Sequence, residues 1–146
     1  MYGKDITIRD NTWTDFKRSA MIAWRDTNAV RDLKMTNNTL TRIGTDDGYC
    51  LTAFTVSHAD FVGNRFVDCG GGGWLSSSVA VGFDAGTSSY ITFDGNEITS
   101  PSGKTKVAIR KGLNHTFSPE TNRFGRNTID KGLDNAFQVQ DDVAKP

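Results

Sequence analysis

Apolar residues recur along this chain in a pattern set around asparagine. Asn11, Asn38, Asn64, Asn96 and Asn127 follow one another at intervals of 27, 26, 32 and 31 residues. Two positions after each comes Trp13, Leu40, Phe66, Ile98 or Ile129. Three positions before stand Ile8, Met35, Phe61, Phe93 and Phe124, and five before stand Ile6, Leu33, Ala59 and Ile91, with Asn122 breaking the series. A repeat of this length marks a solenoid, in which each unit has too little core to stand alone.

The residues before each asparagine alternate, as in Ile6-Thr7-Ile8 and Ile91-Thr92-Phe93, which is the period of a strand with one face inward. The asparagine then falls where the chain turns sharply, since its short amide lets it tolerate a left-handed backbone. Further strands are expected at Met21–Trp24, Cys50–Phe54, Val79–Phe83, Lys106–Arg110 and Ala136–Gln140. Val79, Val81 and Phe83 give the inward set of the clearest one, and Ala80, Gly82 and Asp84 its outward set. No segment has helical periodicity with caps. The expected fold is therefore all-β: a right-handed parallel β-helix solenoid of about five coils, with an asparagine ladder passing amide hydrogen bonds from coil to coil.

The run Ile-x-Ile-x-x-Asn-x-aromatic, as in Ile6 to Trp13, followed by a loop and an apolar strand, resembles the right-handed parallel β-helix of the pectin-lyase-like superfamily. The likeness extends from Asp5 to about Gln140. It implies kinship with polysaccharide lyases, hydrolases, uronan epimerases and phage tailspikes, and so an extracellular or secreted protein whose partner is a polysaccharide. Two signatures of that superfamily are missing: the paired-aspartate hydrolase motif and the Asp-Pro-His-Glu run of mannuronan epimerases.

Composition narrows the setting. Seventeen basic and seventeen acidic residues give a formal charge of zero, which disfavours nucleic-acid binding through a basic field. No apolar run approaches the roughly 18–20 residues that span a bilayer, and no signal peptide precedes the first strand. Residues 1–146 read as a single domain. Met1-Tyr2-Gly3-Lys4 leads straight into a strand with no cap, so the sequence reads as a piece of a larger protein. Its open ends would be covered by the remaining coils of a parent chain or by a homo-oligomer. Cys50 and Cys69 read as small buried hydrophobes, with a bridge between neighbouring coils left open.

Candidate chemistry lies on the outward positions of the strands before the asparagines. These read Asp5 and Thr7, Asp32 and Lys34, His58 and Asp60, Tyr90 and Thr92. Stacking predicts one column of Lys34, Asp60 and Thr92 and a neighbouring column of Asp32, His58 and Tyr90. Base, acid, phenol and ammonium then share one patch. Lyase or epimerase chemistry on a uronic acid sugar needs such parts: a base for the C5 proton, a cation for the carboxylate and an acid for the leaving oxygen. His58, Asp60, Lys34 and Tyr90 are the catalytic candidates, and Asp32 a substrate contact. The competing reading is a solvated sheet face with cross-strand Lys–Asp and His–Asp pairs.

Elsewhere, Asp84 and Arg110 are expected to stack as a salt bridge on the later strands, where they are weaker substrate-binding candidates. Trp74, after the glycines 70–73, can stack on a sugar ring, cover the core edge or meet another subunit. Thr45-Asp46-Asp47-Gly48 is a weak candidate for a calcium ion; no cofactor is otherwise implied. The alternative function is a non-catalytic sugar-binding or structural module, such as the shaft of a tailspike or an oligomeric scaffold.

Overall fold

A computed structural model describes residues 3–22, 30–70, 79–117, 122–133 and 135–139. The fold is all-β, and the described residues form twelve strands: β1 (Gly3–Arg9), β2 (Thr12–Ile22), β3 (Val30–Thr36), β4 (Thr39–Ala53), β5 (Val56–Val62), β6 (Arg65–Val67), β7 (Val79–Asp94), β8 (Glu97–Thr99), β9 (Val107–Phe117), β10 (Arg123–Gly125), β11 (Thr128–Ile129) and β12 (Asn135–Val139). Every pairing among these strands is parallel.

The strands stack on three faces. The first, before the asparagines, runs β1, β3, β5, the end of β7, then β10. The second, just after them, runs from the starts of β2 and β4 through β6 and β8 to β11. The third joins the later parts of β2 and β4 to the start of β7, then β9 and β12. Each face carries five rungs, so the solenoid makes about four turns from first to last; the expected figure of about five counted rungs rather than turns.

The register follows the hydrophobic pattern. Ile6 lies beside Leu33, Ala59 and Ile91; Ile8 beside Met35, Phe61, Phe93 and Phe124; Trp13 beside Leu40, Phe66, Ile98 and Ile129. The middle members of these columns are buried in one core. Each large apolar side chain so buried contributes roughly 1.5–3 kcal/mol. In the last rung, where Asn122 replaces the apolar residue, its Oδ1 accepts the Ile91 N–H at 3.0 Å. The break in the pattern is thus a polar closure of that column.

The asparagines form a continuous run of amide contacts. Each Nδ2 donates to the Oδ1 of the next, from Asn11 through Asn38, Asn64 and Asn96 to Asn127, at 3.0–3.1 Å. The backbone N–H of each also reaches that Oδ1. From Asn38 onward, the other amide hydrogen goes to a carbonyl of the preceding rung: Ile8, Met35, Phe61 and Phe93. One expectation is corrected here. The left-handed residue is the one before each asparagine: Asp10 (φ 57°), Asn37 (54°), Gly63 (67°), Gly95 (61°) and Arg126 (49°). That residue takes the turn, which leaves the asparagine free to aim its amide inward.

Two further expectations change on the third face. Its outward set is not exposed: Thr52, Ala80, Ala108 and Arg110 are buried, and the Tyr49 ring lies against Gly82 so closely that no Cβ fits there. A parallel strand covered on both sides reads as a near-continuous apolar run, which Val79-Ala80-Val81-Gly82-Phe83 does. The cysteines are not merely buried: Cys50 and Cys69 form a disulfide, with Cα atoms 5.0 Å apart, inside the main core. Among the described residues, no helix is long and apolar enough to cross a membrane.

Candidate functional site

The first face carries the candidate patch. Parallel register places Thr7 beside Lys34, Lys34 beside Asp60, and Asp60 beside Thr92, as the repeat predicts. Asp5, Asp32, His58 and Tyr90 occupy the neighbouring column, and all four have left-handed backbone, with φ of 57°, 51°, 52° and 55°. A left-handed L-residue costs about 1–2 kcal/mol. Here the same departure recurs at one position of four successive rungs, β1, β3, β5 and β7, which bends these four strands at the same place.

The bend opens a shallow depression of about 550 Å³ lined by Asp5, Thr7, Asp32, Leu33, Lys34, His58, Asp60 and Tyr90. Within it the rings of His58 and Tyr90 stack, with centroids 4.4 Å apart and planes 17° from parallel. Tyr90 is 54% exposed, so the stack presents an open aromatic surface. Lys34, Asp32 and His58 are exposed and Asp60 half-buried. No ion pair joins Lys34 to Asp60 or Asp32 among the described residues. The cross-strand pairing of the competing reading is therefore not formed there.

Of the other candidates, Arg110 stands apart from this patch. Arg110 lies on the third face and is buried, and its register neighbours are Gly82 and Gln138. The backbone of Asp84 falls at the register shift between Phe83 and Ala85, and the side chain on which its expected pairing with Arg110 depends lies outside the described ones. Trp74 lies outside the described residues. In the Thr45–Gly48 turn, Asp46 faces Lys17 at 3.7 Å. Among the described residues no group of three or more His, Cys, Asp or Glu side chains is placed to hold a metal ion.

A second charged row escaped the sequence reading. Four positions after the first three asparagines stand Asp15, Arg42 and Asp68, again with left-handed backbone (φ 60°, 50° and 49°). Arg42 donates from Nη2 to Asp15 Oδ2 at 2.9 Å, which lowers the Asp15 pKa and raises that of Arg42. Asp68 Oδ1 accepts from Ser102 Oγ at 2.7 Å, the Ser102 N–H at 3.0 Å and Ser100 Oγ at 3.2 Å. Arg65 to Glu97 and Arg126 to Asp94 likewise tie adjacent rungs. The Arg126 hydrogen bond lowers the Asp94 pKa. These groups already satisfy one another and read as fastenings between coils. The usable signal was the alternation of sign at one repeat position.

The chain matches no family model, no curated protein and no solved structure.

Proposed function

We propose that the first face of this solenoid is the saccharide-binding surface of a polysaccharide-processing protein, acting on an acidic or surface polysaccharide. The observation that carries this reading is the exposed His58–Tyr90 stack, set among carboxylates and an ammonium in an open depression. An aromatic plane buries the C–H face of a pyranose, while carboxylates accept from its hydroxyls and Lys34 donates to its oxygens. Rungs spaced about 4.8 Å apart repeat these contacts along the axis, which suits a polymer.

Charge narrows the class. Asp5, Asp32 and Asp60 face a single Lys34 in the depression, so the field disfavours a polyuronate and suits a surface polysaccharide of neutral or amino sugars. The likeness to the pectin-lyase-like superfamily supports the same reading at the level of fold. The Cys50–Cys69 bridge supports an extracellular setting, where disulfides persist. Processing of such a polymer is hydrolytic. His58 takes a proton from the water whose oxygen bonds to the anomeric carbon, and Tyr90 gives its hydroxyl proton to the glycosidic oxygen as that C–O bond breaks. Lys34 donates to the leaving oxygen, and Asp60 stabilises the positive charge that develops on the sugar ring.

The test is calorimetric titration with neutral, amino-sugar and uronate polymers, alongside an assay for released reducing ends on all three and, on the uronates, for unsaturated product by ultraviolet absorbance and C5 inversion by proton NMR. Tyr90→Ala should bind about tenfold more weakly with an unchanged melting profile, the loss expected for one stacking contact of roughly 1.4 kcal/mol. His58→Ala should abolish any turnover. Equal binding by wild type and Tyr90→Ala would sink this reading and leave a structural shaft or scaffold.

A further inference from the structure

Carboxylates in this molecule are matched almost everywhere. Asp10, Asp15, Asp46, Asp94 and Glu97 each form an ion pair. Asp68 and Asp130 accept hydrogen bonds from Ser100, Ser102 or Gly132. Among the described side chains, the only carboxylates with neither an ion pair nor a hydrogen bond are Asp5, Asp32 and Asp60, and all three line the depression on the first face. Asp32 and Asp60 carry the argument. β3 lies between β1 and β5, and β5 between β3 and β7, so the strands beside both residues are described.

Cations stand nearby and are not used. Lys34 is the register partner of Asp60, the same relation in which Arg65 meets Glu97 at 2.9 Å. Among the described residues Lys34 makes no such pair, and neither does Arg31, which is exposed beside Asp32. Three carboxylates against the Lys34 ammonium leave the depression negative. They are also spread out, since no three acidic, His or Cys groups among the described residues converge to hold a metal ion. Spaced negative charges match a ligand with positive charges spaced along it, not a single ion.

Resting on the saccharide reading above, we propose that the polymer is cationic: a glycan of 2-amino-2-deoxy sugars whose amines are free, not acetylated. Asp32 lies on the rung next to His58 in the same column, and Asp60 two residues along the strand from His58. Both therefore border the place of a pyranose held against the His58–Tyr90 stack. Either carboxylate can take an ammonium substituent in a charge-assisted hydrogen bond. An N-acetyl group has no charge to offer and leaves both unmatched. Lys34 keeps its part as a donor to sugar oxygens.

Calorimetric titration with a β-1,4-linked glucosamine hexamer and with its N-acetylated counterpart tests this at about pH 6, where amines are protonated and carboxylates ionised. Wild type should bind the free-amine hexamer about tenfold more tightly. The Asp32→Asn/Asp60→Asn variant should bind both hexamers alike and hold the acetylated one as wild type does. Asparagine tolerates the left-handed backbone at position 32, so the melting profile should not move. Equal binding of the two hexamers by wild type, with binding still weakened in Tyr90→Ala, overturns the cationic preference and leaves the saccharide surface standing. Binding of no saccharide overturns both readings. Hexalysine bound as tightly as the free-amine hexamer, and equally by Tyr90→Ala, also overturns the proposal and makes a basic protein segment the partner.

Discussion

Left-handed backbone is where single residues matter most in this molecule. Among the described residues, ten non-glycine residues hold positive φ, and these fall in three stacked rows, which makes them a property of the repeat rather than of each side chain. Sequence reasoning placed the turn on the asparagines because Asn favours that conformation, whereas Arg126 and Tyr90 do not. What decides the matter is the stack: neighbouring rungs over-determine the backbone, so poor left-handed formers adopt it too. Asp68 lies in one of these rows and titrates accordingly. Burial pushes its carboxyl up, but the Ser102 and Ser100 hydrogen bonds and the Arg42 charge outweigh this and hold it below the usual range. A folded pKa below the unfolded value, near 3.9, means the contribution is complete above about pH 4 and is lost as pH falls from there through the folded value. Asp68→Asn should therefore be less stable than wild type at about pH 7, with the gap closing at about pH 3. Urea midpoints at both pH values test this, and a gap that persists in acid would show that the charge is not what Asp68 contributes.

At the scale of elements, the first two faces were legible, as were the strands and inward set of the third, but the cover over the third face was not. On the first face a strict alternation gave both the core columns and the outward patch, and the register of Lys34, Asp60 and Thr92 followed from the repeat alone. The alternation fails as a guide on the third face because Ala80, Gly82 and Ala108 are small and face cover rather than solvent. Period cannot separate a half-buried strand from one buried on both sides when its polar positions are few. The element that joins the faces, the run of asparagines, makes a graded prediction. Asn64 is fully buried. Removing its amide orphans the Asn38 N–H, the Met35 carbonyl and part of Asn96. Each such group costs roughly 1–3 kcal/mol when left unmatched. Asn64→Ala should therefore cost several times what Asn11→Ala costs, since Asn11 is exposed and hydrates on truncation. Equal losses in chemical denaturation would mean that the run is incidental to stability.

For the whole molecule, stability is set by contacts between successive rungs, because a solenoid has no other long-range packing. Every ion pair in the second charged row, and every amide in the run, joins one rung to the next and no further. The disulfide acts on the same scale but by another route. Cys50 starts a third-face stretch of one coil, and Cys69 ends the second face of the next, 19 residues later. That separation is less than one repeat, so neither residue has the other as a register partner. Their meeting depends on how the corner folds inward toward the Leu40 carbonyl, which both sulfurs approach. Spacing alone carries no such information, which is why the bridge stayed open in the sequence. Its effect can be sized: closing a loop of this length restricts the unfolded chain by about 3 kcal/mol. For a domain of this size that converts to a fall of roughly 6–12 °C in melting temperature on reduction. Scanning calorimetry with and without reductant measures it, with Cys50→Ala/Cys69→Ala as the control that reductant must not affect. The double variant removes buried sulfur as well, so it should melt below the reduced wild type. If reductant leaves the wild-type melt unchanged, then either the bond is inaccessible in the native state or the coils hold without it. Thiol labelling separates the two when reductant is applied to the folded protein and removed before unfolding, because a bridge inaccessible in the native state then leaves both cysteines unlabelled.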